Sequence, residues 1–259
     1  MADQYKSVKI ADNMCGQNTL PARLTRRSFV DVLRGTAIVM MFAYHFTFDL
    51  HYYGVVSADF NHDPFWLGFR AIIVSLFLGV MGVSLHLATA RGVNPRAFGR
   101  RLLLVAGCAG LVSAGSYAMF PNSMIFFGIL HFIAVASVLG LLFWRLFWLN
   151  LIVGGGLIVA GLQFQHPWFD LPAWQWLGMM THKPVTEDYV PLLPWFGVVL
   201  IGMFLGKLIY QRENVPAFAR WTGRHPVARL LAFGGRHSLP VYMLHQPVFL
   251  GVLYLFFGK

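Results

Sequence analysis

Apolar residues gather along this chain into recurring stretches of roughly 20, each long enough to cross about 30 Å of hydrocarbon as a helix. The pattern predicts helices over Phe29 to Leu50, Phe65 to Ala90, Arg101 to Phe120, Met124 to Trp144, Leu146 to Phe164, Pro191 to Tyr210 and Ser238 to Phe257. The period-two alternation of a membrane β-barrel is absent from these stretches. The predicted fold class is therefore all-α: a polytopic transmembrane bundle of about seven helices. Residues 1–28 are polar and short and read as a disordered tail, so 29–259 forms one membrane domain. Gly154-Gly155-Gly156 and Gly79-Val80-Met81-Gly82 are expected to let neighbouring backbones approach closely.

Composition agrees with a lipid solvent. Hydrophobic residues make up 57% of the chain and charged ones 12%, too few to cover a water-soluble globule of 259 residues. A net charge of +10 raises the question of nucleic acid, and the placement of the basic residues answers it. With the N-terminus in the cytoplasm, the inner flanks collect Lys6, Lys9, Arg23, Arg26, Arg27, Arg91, Arg96, Arg100, Arg101, Arg145, Lys207, Arg212, Arg220, Arg224, Arg229 and Arg236. These are 16 of the 20 basic residues, a positive-inside pattern whose partner is the lipid bilayer and not nucleic acid. Trp168, Trp174 and Trp176 fall in the longest outer segment, at headgroup level. Cys15 and Cys108 lie in different environments and are expected to be free thiols.

Ionisable residues inside the bilayer demand a partner or a function. Arg34, Ile38, Met41, His45 and Asp49 follow helical steps and share one face of the first helix, with Arg34 and His45 about 16 Å apart along the axis. Arg70, near the outer end of the second helix, and His131, two turns inside the fourth, share the depth of His45. A cluster of His45, Asp49, Arg70 and His131 is the expectation, with Asp49 either orienting the His45 imidazole or pairing with Arg70. His62, in His62-Asp63-Pro64, sits at the outer mouth. Pro247 is expected to kink the last helix beside Tyr242 and His245, which share a face. His45 and Asp49 offer no compact third ligand, so no metal is expected.

The run Arg27-Ser28-Phe29-Val30-Asp31-Val32-Leu33-Arg34-Gly35-Thr36-Ala37-Ile38, with His45 beyond it, resembles the opening helix of membrane-bound acyltransferases. The nearer resemblance is to the heparan-α-glucosaminide N-acetyltransferase catalytic domain family. Phe127-Gly128-Ile129-Leu130-His131, Asp188-Tyr189-Val190-Pro191-Leu192-Leu193-Pro194-Trp195-Phe196-Gly197 and Ser238-Leu239-Pro240-Val241-Tyr242-Met243-Leu244-His245-Gln246-Pro247 carry it to Pro247. The resemblance implies a multi-pass enzyme, in a bacterial inner membrane, moving an acetyl group from cytoplasmic acetyl-CoA as co-substrate to an outward-facing amino sugar, glycan or sugar hydroxyl. It implies His45, Asp49 and His62 as catalytic candidates and Arg34, Arg70, His131, Tyr242 and His245 as substrate-binding ones. His62 matches the lumenal histidine of the lysosomal relatives, and His45 the helix-one histidine of the sugar O-acyltransferases. Either would serve as base or as transient acyl carrier. The lysosomal relatives have more helices and an extra lumenal domain, and this sequence is expected to depart from them in both. Two other classes stay open on the residues alone: a haem-binding electron-transfer subunit using His45 and His131, and a small transporter using Asp49 and Arg70. A homodimer is also left open.

Overall fold

The computed structural model describes residues 28–211, 215–221 and 225–258. The tail expected to be disordered, Cys15 and the five basic residues from Lys6 to Arg27 lie outside the described residues, as do Arg212, Arg224 and Lys259. Among the described residues the regular structure is helical, with a single backbone bridge between Phe127 and Tyr189 and no strand. The helices are α1 (Ser28–Tyr52), α2 (Pro64–Thr89), α3 (Pro95–Met119), α4 (Ile129–Phe143), α5 (Trp148–Gln163), α6 (Leu192–Tyr210), α7 (Ala217–Arg220), α8 (Pro226–Arg236) and α9 (Ser238–Phe257). Five of them, α1, α2, α3, α6 and α9, are long and apolar enough to cross a bilayer; α4 and α5 are shorter apolar helices.

Local chemistry explains where the ends depart from the hydropathy pattern. α3 begins six residues before the predicted Arg101, because the Asn94 side chain accepts a hydrogen bond from Ala97 N–H at 3.1 Å and Pro95 fills the first turn. That turn is polar, so an apolar window misses it. α4 starts at Ile129 rather than Met124, because the segment before it is drawn out to meet the long loop: Val190 N–H donates to Phe127 C=O at 3.2 Å and Glu187 N–H to Ser123 C=O at 3.1 Å. His131 therefore stands in the first turn of α4, not two turns inside a longer helix.

α2, α5 and α6 form the tightest stack. Lipid is as apolar as leucine, so close backbone contact and dispersion must hold such helices together. A Cβ built on Gly82 would lie 2.1 Å from Val199 O, and one on Gly197 2.4 Å from Gly154 O. Gly82 and Gly154 thus serve as expected, while Gly155 and Gly156 face open space. The core over this stack is Leu78, Met81 and Leu85 of α2, Phe132 and Ala136 of α4, and Val199, Leu200 and Met203 of α6. Leu104, Leu142, Ile152 and Leu255 are exposed on the outside, where lipid tails cover them.

α8 is a short helix that no 20-residue window reveals. Its small residues Ala228, Ala232 and Gly235 are buried against the start of α1. A Cβ on Gly235 would sit 1.9 Å from Asp31 O, and one on Gly35 2.0 Å from Leu231 O. Arg91, Arg96, Arg100, Arg101, Arg145, Lys207, Arg220, Arg229 and Arg236 gather at the same end of the bundle as α8, here called the basic end. The α1–α2, α3–α4 and α5–α6 loops form the opposite end.

Candidate active site

The stripe on α1 divides into two regions with different surroundings. At the basic end, Arg34 is held by three helices. Its Nη1 donates to Asp31 Oδ1 at 3.1 Å and to Gly235 C=O of α8 at 3.2 Å, and its Nη2 donates to Ser84 Oγ of α2 at 2.6 Å. Its side chain is 18% exposed. A guanidinium bound in a planar fork to a carboxylate, a carbonyl and a hydroxyl fixes how α1, α2 and α8 meet.

Further along α1, the polar residues face α9. Asp49 is 2% exposed, and its Oδ1 accepts from Gln246 Nε2 at 2.7 Å. Its Oδ2 is buried and has no hydrogen-bond partner among the described residues. The Gln246 amide must turn its nitrogen to the carboxylate, which leaves Gln246 Oε1 as a second buried acceptor without a partner. His245 is buried too, and with Leu253 it is one of two buried residues on α9. Its Nδ1 meets the Tyr242 carbonyl, and its Nε2 is a third buried atom without a partner. The ring of His45 lies edge-on to that of His245, centroids 5.2 Å apart. Phe42 stacks on His245 at 5.6 Å and Phe249 meets it edge-on at 5.9 Å, forming an apolar wall. Pro247 removes an amide donor from this turn of α9, which runs on as one helix from Ser238 to Phe257. His45, Asp49, His245 and Gln246 thus form one polar cluster between α1 and α9.

A second group stands at the loop end. Asp188 Oδ2 accepts from the Ile129 N–H at 2.8 Å, closing the first turn of α4, and from the Tyr242 hydroxyl at 3.4 Å. Gly128 has no side chain to cap α4 itself, and a Cβ there would come within 2.3 Å of Asp188 Oδ2. Burial pushes the Asp188 carboxyl above the usual carboxylate range, against the lowering effects of Ile129 N–H, Tyr242, Arg70 and Lys183. Burial likewise depresses Lys183, and the like charge of Arg70 adds to it. Arg70 also acts on the Tyr44 hydroxyl. Tyr242 borders both groups, since its ring lies 5.3 Å from that of His245.

The four-residue cluster expected from depth alone does not form as drawn. Asp49 pairs with Gln246 and not with Arg70, whose charge acts on Asp188 and Lys183 of the loop before α6 instead. His131 is turned away from His45. Ser113 donates its only proton to Ile125 C=O at 2.6 Å, so His131 Nε2 must donate to Ser113 Oγ at 3.1 Å, and His131 Nδ1 accepts from Gly128 N–H at 3.3 Å. Both ring nitrogens are thereby committed to the α3–α4 junction, which leaves none for a haem iron. His62 is exposed in the α1–α2 loop, its Nδ1 3.0 Å from Asp59 Oδ2, while Asp63 caps α2 by accepting from Phe65 N–H at 2.9 Å. Among the described residues no contact joins His62 to the α1–α9 cluster. Nor do any three His, Cys, Asp or Glu side chains come together there as a metal-binding group. Gln246 and Asp188 carry no charge pattern that marks them in the sequence, although each lies inside a stretch that bears the family resemblance.

No curated protein and no solved structure matches the chain. Residues 26–247 match the family described as heparan-alpha-glucosaminide N-acetyltransferase, catalytic, which takes in every helix from α1 to the middle of α9 and both polar groups. The chain belongs to that family.

Proposed function

We propose that this protein is an integral-membrane acetyltransferase, taking its acetyl group from acetyl-CoA on the cytoplasmic side of a bacterial inner membrane. The group passes to the amine of an amino sugar, or to a sugar hydroxyl, that reaches the site from the outer face. The observation that carries this reading is the set of three buried polar atoms without partners, Asp49 Oδ2, Gln246 Oε1 and His245 Nε2, on the two helices whose histidine rings His45 and His245 meet 5.2 Å apart. A buried polar atom left unpaired costs about 1–3 kcal/mol. Buried acceptors left unpaired suit a group rich in N–H or O–H, which is what an amine or a sugar hydroxyl presents. They do not suit an anion. Family membership supports the reaction class, and the unpaired acceptors of this cluster support its assignment to the acceptor.

In this reading the basic end faces the cytoplasm, where its exposed arginines meet the phosphates of the donor. Arg34 holds α1 in register with α2 and α8. Asp49 and Gln246 bind the nucleophile, and His45 and His245 line the transfer point. Arg70, Tyr242, Asp188 and Lys183 shape the outer approach, with His62 at its rim. The test is transfer of radiolabelled acetyl from acetyl-CoA to glucosamine by purified protein in lipid nanodiscs. Label should appear in N-acetylglucosamine, and acetyl-CoA should raise the apparent melting temperature. Absence of both, in protein that unfolds cooperatively, defeats the reading.

A further inference from the structure

Two histidines face each other in the α1–α9 cluster, and hydrogen-bonding chemistry tells them apart. The Tyr242 carbonyl can only accept, so the nitrogen of His245 that meets it, Nδ1, must carry the proton. In the neutral ring Nε2 is then a bare lone pair. That atom is buried and has no partner among the described residues, in a ring that stands 5.2 Å from that of His45. The ring is also held in place: Phe42 stacks on one face, and Phe249 and Tyr242 close in from its own helix. His45 has no comparable anchor. Among the described residues no hydrogen bond fixes its tautomer, and its ring contacts are the edge-on ones with Tyr44 and His245.

From this asymmetry we infer that His245, through Nε2, is the general base of acetyl transfer, and that His45 is a positioning residue that holds the His245 ring and the reacting group between α1 and α9. The inference rests on the acetyltransferase reading above. The neutral amine attacks the thioester carbonyl, a C–N bond forms, and its excess proton passes to His245 Nε2. The tetrahedral centre then collapses, the C–S bond breaks, and the imidazolium returns that proton to the departing sulfur. The products are the N-acetyl sugar and CoA thiol, and His245 ends as it began. The Tyr242 carbonyl does the orienting that a carboxylate does in a catalytic triad, and it keeps a donor on Nδ1 throughout. The titratable groups facing His245 are His45 from α1 and Tyr242 from its own helix.

The test uses the full chain in nanodiscs with acetyl-CoA and glucosamine. His245→Ala should lower kcat by about 10²–10⁴-fold with KM for acetyl-CoA within about threefold, the range a positioned base supplies. Added imidazole should restore part of the rate in His245→Ala and none in His45→Ala. Full activity in His245→Ala, or imidazole rescue confined to His45→Ala, overturns the assignment. Should His245→Ala fail to fold, nitrogen NMR of ¹⁵N-histidine-labelled wild-type protein still decides it. The resonance that disappears in His245→Asn should report a protonated Nδ1 and an unprotonated Nε2, and the opposite tautomer overturns the proposal. A wild-type protein that transfers nothing refutes the acetyltransferase reading first, and this one with it; an active wild type with an unaffected His245→Ala refutes the base alone.

Discussion

Arg34 separates two accounts of the α1 stripe. As a donor-binding residue it would reach phosphates; as built, it spends its guanidinium on Asp31, Gly235 C=O and Ser84 at 3.1, 3.2 and 2.6 Å. Arg34→Ala removes the three hydrogen bonds described above and takes a positive charge away from Asp31, a carboxylate that is 5% exposed. Breaking one side of a largely buried ion pair costs on the order of 3 kcal/mol, the low end of the range for such pairs, because the Arg34 side chain keeps some contact with solvent. For a chain of this size that corresponds to a drop of about 6–12 °C in Tm. The assay is thermal unfolding in detergent, with and without saturating acetyl-CoA. Because binding to the folded state adds a stabilisation set by ligand concentration over Kd, the increment from acetyl-CoA should be the same in variant and wild type. Arg34→Lys should recover only part of the loss, since a point charge cannot span a carboxylate, a carbonyl and a hydroxyl. An Arg34→Ala protein with wild-type Tm and no acetyl-CoA increment would refute this reasoning and return Arg34 to the donor site.

Three further outcomes follow from the same geometry. Asp49→Asn keeps the shape but removes the carboxylate from the acceptor site, so KM for glucosamine should rise about 10–100-fold, the equivalent of one charge-assisted hydrogen bond, with KM for acetyl-CoA unchanged; steady-state kinetics with each substrate varied would show it. His131→Ala strips two hydrogen bonds from the α3–α4 junction and should cost about 1–3 kcal/mol in stability while the folded fraction keeps wild-type kcat, measured by active-site titration alongside thermal unfolding. Asp188 binds its proton more tightly folded than unfolded, so its contribution is favourable at low pH. That contribution is lost as pH rises from the usual carboxylate range through its raised value; Asp188→Asn should show a flatter Tm-against-pH curve over that window, and an unchanged slope would contradict the assignment.

Hydropathy made the spans legible because each crosses lipid on its own, and the cost of an unsatisfied backbone in hydrocarbon leaves helices as the open-ended solution. The stripe on α1 was legible for a related reason: helical periodicity fixes which residues share a face. What faces that stripe was not. Depth in the membrane put His131 and Arg70 level with His45, but depth says nothing of azimuth: His131 is bonded to Ser113, and the charge of Arg70 is felt by Asp188. The true partner, Gln246, is uncharged and sits beside a histidine that draws more notice. α8 escaped because it buries alanine and glycine against α1, a small-residue face with little hydropathy and no span-length run. The polar first turn of α3 and the drawn-out entry to α4 were hidden likewise, one by its cap and the other by a pairing with residues some 60 positions away.

Transfer across the bilayer is the claim on which the account depends. Protein reconstituted into vesicles with a known orientation, radiolabelled acetyl-CoA outside and membrane-impermeant amino sugar trapped within, tests it in one experiment. The account predicts labelled acceptor inside the vesicle when the basic end faces the donor, and none when the orientation is reversed. Label appearing only when donor and acceptor share a compartment, whichever way the protein faces, would contradict it.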